Sequence, residues 1–126
     1  MRLLPTLLCG AVVTLTLVAA PAAVADDQLA ASMCDYVAAD DKNRLRKVLS
    51  DYRLRLRNIY DGVVCNGESL IRHAFKSNAN DVGEFIVKQL PGSSVAGSGD
   101  IAWAEGNGFA ASPLLAVLKE RAGGGD

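Results

Sequence analysis

The sequence predicts a mostly α-helical protein, in which four helices form two helix–turn–helix units joined by an extended connector and a short helix follows near the C terminus. Three observations support this prediction. Apolar residues recur at offsets of three and four along four segments, which is the period of a helix with one buried side. Capping residues and turn dipeptides separate these segments. The pattern of Leu45, Val48 and Leu49 returns 37 positions later, which indicates an internal repeat.

The first 25 residues have the composition of a secretory signal peptide. Arg2 gives the start a positive charge, a long apolar run follows, and residues 23–25 have the small side chains that signal peptidase accepts. We therefore expect cleavage after Ala25 and delivery to the periplasm or beyond. The alternative is an uncleaved membrane anchor, because the apolar run is about long enough to span a bilayer.

Cleavage would leave residues 26–126, which is enough for one small domain. It would remove Arg2 from the 13 Lys and Arg side chains and none of the 14 Asp and Glu, so the formal charge becomes slightly more negative. This balance disfavours a nucleic-acid partner, and no second apolar run is long enough for a transmembrane segment. We expect a helical domain over residues 26–91, followed by a Gly/Ser-rich linker and a short helix over residues 92–126.

Two apolar stripes at helical spacing predict the first helix pair. The stripes comprise Leu29, Met33, Tyr36 and Val37, and then Leu45, Val48, Leu49 and Tyr52. Asp41 or Asn43 can cap the second helix. After Tyr52 leucine and arginine alternate, so residues 53–64 are expected to be extended, with a turn at Asp61-Gly62.

Two further stripes predict the second helix pair. They comprise Leu70, Ile71, Ala74 and Phe75, and then Val82, Phe85, Ile86 and Leu90. Ser69 is the expected N-cap of the first of these helices. Asn78 is expected where that helix ends, because asparagine tolerates the left-handed conformation found at helix ends.

The composition changes after the fourth helix. Six of the nine residues in 91–99 are Gly or Ser, which predicts a flexible linker. Ser112-Pro113 then provides an N-cap and a first helical position for the short C-terminal helix. Its leucines and Trp103 either dock on the helix pairs or belong to a mobile tail, and we expect partial docking.

The cysteines of the exported chain are Cys34 and Cys65. In an oxidising compartment an even pair of cysteines usually forms a disulfide, which here would tie the first helix to the start of the second pair. A metal site and a redox pair are the alternatives. Zinc requires about four ligands, and His73 is the one histidine that could join the cysteines. The sequence contains no C-x-x-C motif, so the disulfide is favoured.

Residues 42–57 are the strongest candidate for a binding feature, because they hold seven cationic side chains and one acid, Asp51. In an extended segment the arginines would stand on one side about 6–7 Å apart, a spacing that suits successive anionic groups. An anionic membrane surface or an acidic envelope protein are the candidate partners. The sequence favours a simpler alternative, in which the arginines keep an exposed edge soluble. The candidate site residues are Arg44, Arg46, Lys47, Arg53, Arg55 and Arg57.

No set of residues in the sequence predicts catalysis. A serine or cysteine triad would need His73, and Cys65 as its nucleophile conflicts with disulfide pairing. Phosphate loops, dinucleotide fingerprints and metalloprotease helices are missing from the sequence. We therefore expect a non-catalytic protein without cofactor or metal. The alternative from another class is a small periplasmic hydrolase or redox helper that uses His73 or the two cysteines.

Residues 34–91 resemble the family known as domain of unknown function 3718, small exported proteins of gamma-proteobacteria. The resemblance rests on Cys34, the alternating run at 53–57, the Val-Cys-Asn-Gly element at 64–67, and Val82-Gly83. It implies an envelope protein with a disulfide and without an assigned activity. Residues 67–74, followed by Asp81-Val82, also resemble an ankyrin repeat, which implies that each helix pair has an ankyrin-like form.

Overall fold

The computed structural model describes residues 21–124, and its regular secondary structure is helical. Within this range there are eight α-helices and a 3₁₀ turn, so the mostly helical class is confirmed and the predicted count of four plus one is too low. The helices are α1 Pro21–Ala38, α2 Lys42–Asp51, α3 Leu56–Ile59, α4 Leu70–Lys76, α5 Asn80–Lys88, α6 Gly92–Gly97, α7 Asp100–Gly106 and α8 Pro113–Gly124. The 3₁₀ turn is Tyr60–Gly62. Most of the predicted signal peptide lies outside the described residues.

The two predicted helix pairs are present as α1–α2 and α4–α5, and they are stacked, because α1 contacts α4 and α2 contacts α5. The predicted caps are confirmed: Asp41 accepts from the N–H of Arg44 at 3.0 Å, and Ser69 accepts from that of Arg72 at 3.2 Å. Asn78 is left-handed with φ 55°, as expected. The finer assignment to an ankyrin-like form stays a prediction.

The connector between the pairs differs from the prediction, because residues 53–64 are not an extended segment. Arg53 is left-handed with φ 54°, which reverses the chain at the end of α2, and α3 and the 3₁₀ turn follow directly. The N–H of Leu54 closes this reversal by donating to the carbonyl of Leu49 at 2.8 Å. Leu56 is buried while Arg55 and Arg57 are exposed. A single helical turn therefore places apolar and charged residues on opposite sides, as a strand would. The prediction that Tyr52 belongs to the buried stripe of α2 is wrong, because this side chain is 62% exposed.

The predicted linker over residues 92–99 is also corrected, because it contains α6. Gly92 and Val95 are buried, and α6 packs against α8. Residues 92–97 are therefore a packed helix rather than a flexible linker, with its serines on the exposed side. The C-terminal helix is present and docked, with Leu114, Leu115 and Leu118 buried.

A single hydrophobic core joins these elements. The buried residues of both helix pairs belong to the same cluster as those of α6, α7 and α8. Trp103 and Phe109 lie 6.0 and 5.3 Å from Phe75 between ring centroids, and they attach the C-terminal region to α4. Among the described residues, no helix has both the length and the apolarity required to cross a membrane.

Candidate anion-binding site

A disulfide between Cys34 and Cys65 ties α1 to the segment before α4, with a Cα–Cα distance of 5.6 Å. The pairing predicted from the sequence is therefore present. His73 lies beside it, with Nε2 3.1 Å from the carbonyl oxygen of Cys34. Because a carbonyl oxygen only accepts, Nε2 is the donor, so His73 links α4 to the backbone of α1.

An open groove of about 950 Å³ lies where α2, the connector, α5 and α8 meet. The described residues that line it include six cationic side chains and no acidic one. These cations, which we call the groove cations, are Arg46, Arg53, Arg55, Arg57, Lys88 and Arg121. Four of the six predicted site residues are therefore brought together in one concave surface.

The backbone of the connector places three of the groove cations. The left-handed turn at Arg53 brings the chain back toward α2, and Arg55 has the extended conformation that precedes α3. Arg57 then lies on α3 itself. All three side chains are exposed, whereas Leu56 between them is buried and holds the segment against the core. The arginines therefore reach one groove from a turn and a short helix rather than from a strand.

The other two predicted cations are not in the groove. Arg44 lies 3.4 Å from the carboxylate of Asp41, and Lys47 lies 3.0 Å from that of Asp51. The first pair lies at the N-cap of α2, and the second lies within α2. Both are largely exposed to solvent, so each contributes little to the stability of the fold. Their charges are locally balanced, and they form a natural comparison set for the groove cations.

Most of the groove cations have no carboxylate partner within the described part of the chain. Lys88 pairs with Glu84 at 2.9 Å, and Arg121 Nε donates to the carbonyl of Leu90 at 2.9 Å. No ion pair with a described residue is present for the other four, which are Arg46, Arg53, Arg55 and Arg57. Like charges in one concavity repel each other, and a bound anion relieves that repulsion.

The groove also has apolar walls. Leu54, Phe85 and Pro91 are half-buried and line it together with the buried Leu49 and Leu90. Apolar walls exclude water and lower the local dielectric, so the field of the surrounding guanidinium groups is stronger than on a flat surface. Arginine also binds phosphate and carboxylate oxygens through two parallel N–H groups. The arrangement is thus suited to holding an anionic group.

Sequence reasoning missed Lys88, Arg121 and Phe85 as groove residues. Phe85 was assigned to the buried side of α5, but it is half-buried and faces the groove. Lys88 follows Phe85 by three positions on the same helix, so the sequence alone predicts that the two side chains are neighbours. Arg121 comes from α8, and its position depends on how the C-terminal helix docks, which no local pattern in the sequence specifies.

The described residues contain no group of three or more His, Cys, Asp or Glu that could hold a metal ion. Cys34 and Cys65 are joined to each other, so neither is a free thiolate nucleophile in this state. His73 is engaged by a backbone carbonyl. No described arrangement around these three residues brings a nucleophile, a base and an orienting acid together.

A second polar cluster is structural. Asp100 is 2% exposed, and its Oδ1 accepts from Arg72 Nε at 2.7 Å, while the Arg72 guanidinium lies 5.2 Å from the centroid of Trp103. Nearby, the Tyr60 hydroxyl accepts from the N–H of Ile71 at 3.2 Å. Burial raises the pKa of Tyr60 to about 12, and the neighbouring negative charge of Asp100 acts in the same direction. This cluster joins α4, α7 and the connector.

Fold and site together define a small, disulfide-bonded helical protein with a cationic groove. A family model described as protein of unknown function (DUF3718) matches residues 33–96, and the chain belongs to this family, as its sequence resemblance predicted. The match begins in the C-terminal part of α1 and continues through α2, the connector, α4, α5 and most of α6, so it contains five groove cations and leaves out Arg121. Comparison with curated proteins and with solved structures gives no match.

Proposed function

We propose that this protein is an exported, non-catalytic binding module of the bacterial envelope, and that it holds an anionic group of its partner in the groove. The observation that supports this most directly is the lining of the groove, where residues 21–124 contribute six cations and no acid. The partner is an anionic membrane surface or an acidic envelope protein. The stacked helix pairs present the groove in an ankyrin-like manner.

Export is part of the proposal. A disulfide persists in oxidising compartments and is rare in the cytosol, and Cys34 and Cys65 are paired. The composition of residues 1–25 supports the same location. In the periplasm the phosphate groups of membrane lipids are abundant anions, and clustered Lys and Arg side chains bind such surfaces with about 1 kcal/mol each.

Binding to anionic vesicles tests the proposal. The probe is phosphatidylglycerol in phosphatidylcholine vesicles, and the test variant carries Arg53→Gln, Arg55→Gln and Arg57→Gln. The control variant carries Arg44→Gln, Lys47→Gln and Lys119→Gln, which removes the same charge from side chains paired with Asp41, Asp51 and Glu105. Vesicle sedimentation at low salt measures the retention of each protein.

We expect the groove variant to lose about a hundredfold in apparent affinity, since three contacts of about 1 kcal/mol are removed. The control should lose less than tenfold, and high salt should release the unmodified protein. Equal losses in both variants would show that net charge rather than the groove determines binding, and unchanged retention of the groove variant would reject the proposal.

A further inference from the structure

The groove adjoins a second concavity of a different chemical character. This crevice, of about 270 Å³, lies between α1 and the connector. Of the described residues that line it, Asn58 is polar and the others are apolar side chains and a glycine. Its walls include Leu29 and Met33 from α1 and Ile59 and Val63 from the connector. Among the side chains that the structure describes, neither a cation nor an acid lines the crevice.

Leu54 lines both concavities. It is half-buried and follows Arg53 directly at the chain reversal. Beyond it, Arg57 faces the groove while Ile59 lines the crevice, so the connector is the wall that the two spaces share. A ligand that passes over Leu54 would place one end among cations and the other among apolar side chains.

We propose that the two concavities form one bipartite site for an anionic lipid, with the phosphate head in the groove and an alkyl chain in the crevice. Charge complementarity assigns the head, because the described lining of the groove has six cationic side chains and no acidic one. The hydrophobic effect assigns the chain, because each buried methylene group gains free energy by leaving water. This inference rests on the proposed function and names the class of ligand for the same site.

A series of monoalkyl phosphates from butyl to octyl, used below their micelle concentrations, tests the inference. The protein is purified in full from an expressing bacterium, and calorimetry gives the affinity for each probe and for inorganic pyrophosphate. The test variants are Ala30→Phe and Gly62→Leu, both of which add volume at the crevice wall. A Cβ at Gly62 meets no atom within 4 Å, so the substitution causes no clash where the new side chain begins. Gly106→Leu adds the same side chain on α7, where a Cβ also meets open space, and is the matched control.

We expect the affinity of the unmodified protein to rise about fourfold per added methylene, which corresponds to about 0.8 kcal/mol. The two crevice variants should flatten this rise and keep the affinity for pyrophosphate, while Gly106→Leu should match the unmodified protein. Equal affinity for butyl and octyl phosphate, or a rise that persists in both crevice variants, would overturn the lipid assignment and leave the anion site standing. Failure of every phosphate probe, pyrophosphate included, would instead refute the proposed function.

Discussion

Asp40 Oδ1 accepts a hydrogen bond of 2.8 Å from the backbone N–H of Val82, 42 residues further along the chain. Asp40 lies in the turn between α1 and α2, and Val82 lies in the first turn of α5. The residue before α5, Ala79, has no side chain that could cap the helix. One helix pair therefore supplies the missing cap of the other, and the two units are coupled by a hydrogen bond as well as by packing.

Removing the hydrogen bond by which Asp40 caps α5 should destabilise the fold. We expect Asp40→Ala to lower the free energy of unfolding by about 1–2 kcal/mol, because an N–H in the first turn of α5 loses its acceptor. Alanine also fits the left-handed backbone of residue 40, φ 55°, less well than aspartate. Urea denaturation measures the change. Asp40→Asn keeps both an acceptor and the backbone tolerance, so a loss as large as that of the alanine variant would argue against capping.

The disulfide should account for a large part of the stability of so small a protein. Its cysteines are separated by 31 positions. The chain-entropy model gives such a loop roughly 3–4 kcal/mol. We expect Cys34→Ser with Cys65→Ser to lower the free energy of unfolding by about that amount, measured by denaturant titration. Dithiothreitol should destabilise the unmodified protein and leave the double variant unchanged; an unmodified protein indifferent to reduction would contradict this role.

Gly83 is required by the contact between α5 and α8. A Cβ at this position would lie 2.7 and 2.9 Å from the two Cδ atoms of Leu114, which is buried and has little room to move. Overpacking costs about 1–3 kcal/mol, partly offset by the higher helix propensity of alanine. We therefore expect Gly83→Ala to destabilise the protein by about 1 kcal/mol in thermal or urea unfolding.

Leu114→Ala supplies the double-mutant test of this contact. The double variant should be less destabilised than the sum of the single variants by at least about 1 kcal/mol, because the added Cβ fills space that Leu114 vacates. Simple additivity would mean that Gly83 is not required for the approach of α8.

Tyr60 should make stability depend on alkaline pH. Its pKa is raised by burial from 10.0 to about 12, so the folded state favours the neutral phenol. A group whose pKa is raised on folding stabilises the fold fully below its unfolded pKa, and this contribution is lost as the pH rises from about 10 through 12. We expect absorbance at 295 nm to show one ionisation near pH 12 that Tyr60→Phe removes. Ionisation of this tyrosine near pH 10 in the folded protein would contradict its burial.

The helix pairs could be predicted from the sequence because their signals are local. Spacing within a few residues is enough to predict the caps at Asp41 and Ser69 and the left-handed Asn78. It is also enough to predict the buried stripe at residues 70–75. The disulfide followed from cysteine count and the expected compartment. Each of these signals identifies one structure without knowledge of distant contacts.

The connector and the C-terminal region could not be predicted in the same way. An alternation of leucine and arginine over five residues fits a strand, but it also fits a chain reversal followed by a short helix. Burial of Leu56 against the core favours the chain reversal and the short helix. Glycine and serine at residues 92–99 suggest flexibility, but α6 forms there because burial of Val95 packs it against α8, a contact between distant parts of the sequence. Arg53 and Arg121 line the same groove because the chain reverses after α2 and α8 docks on the helix pairs.

The central claim is that cations from distant parts of the sequence form one anion site, and titration of inorganic pyrophosphate followed by NMR of the arginine Nε–Hε groups tests it most directly. The signals of the groove arginines should shift together along one saturating binding curve. These arginines are Arg46, Arg53, Arg55, Arg57 and Arg121. Arg44, which lies beside Asp41, and Arg72, which is bound to Asp100, should stay in place. Shifts of Arg44 equal to those of the groove arginines, or linear shifts without saturation, would contradict the account.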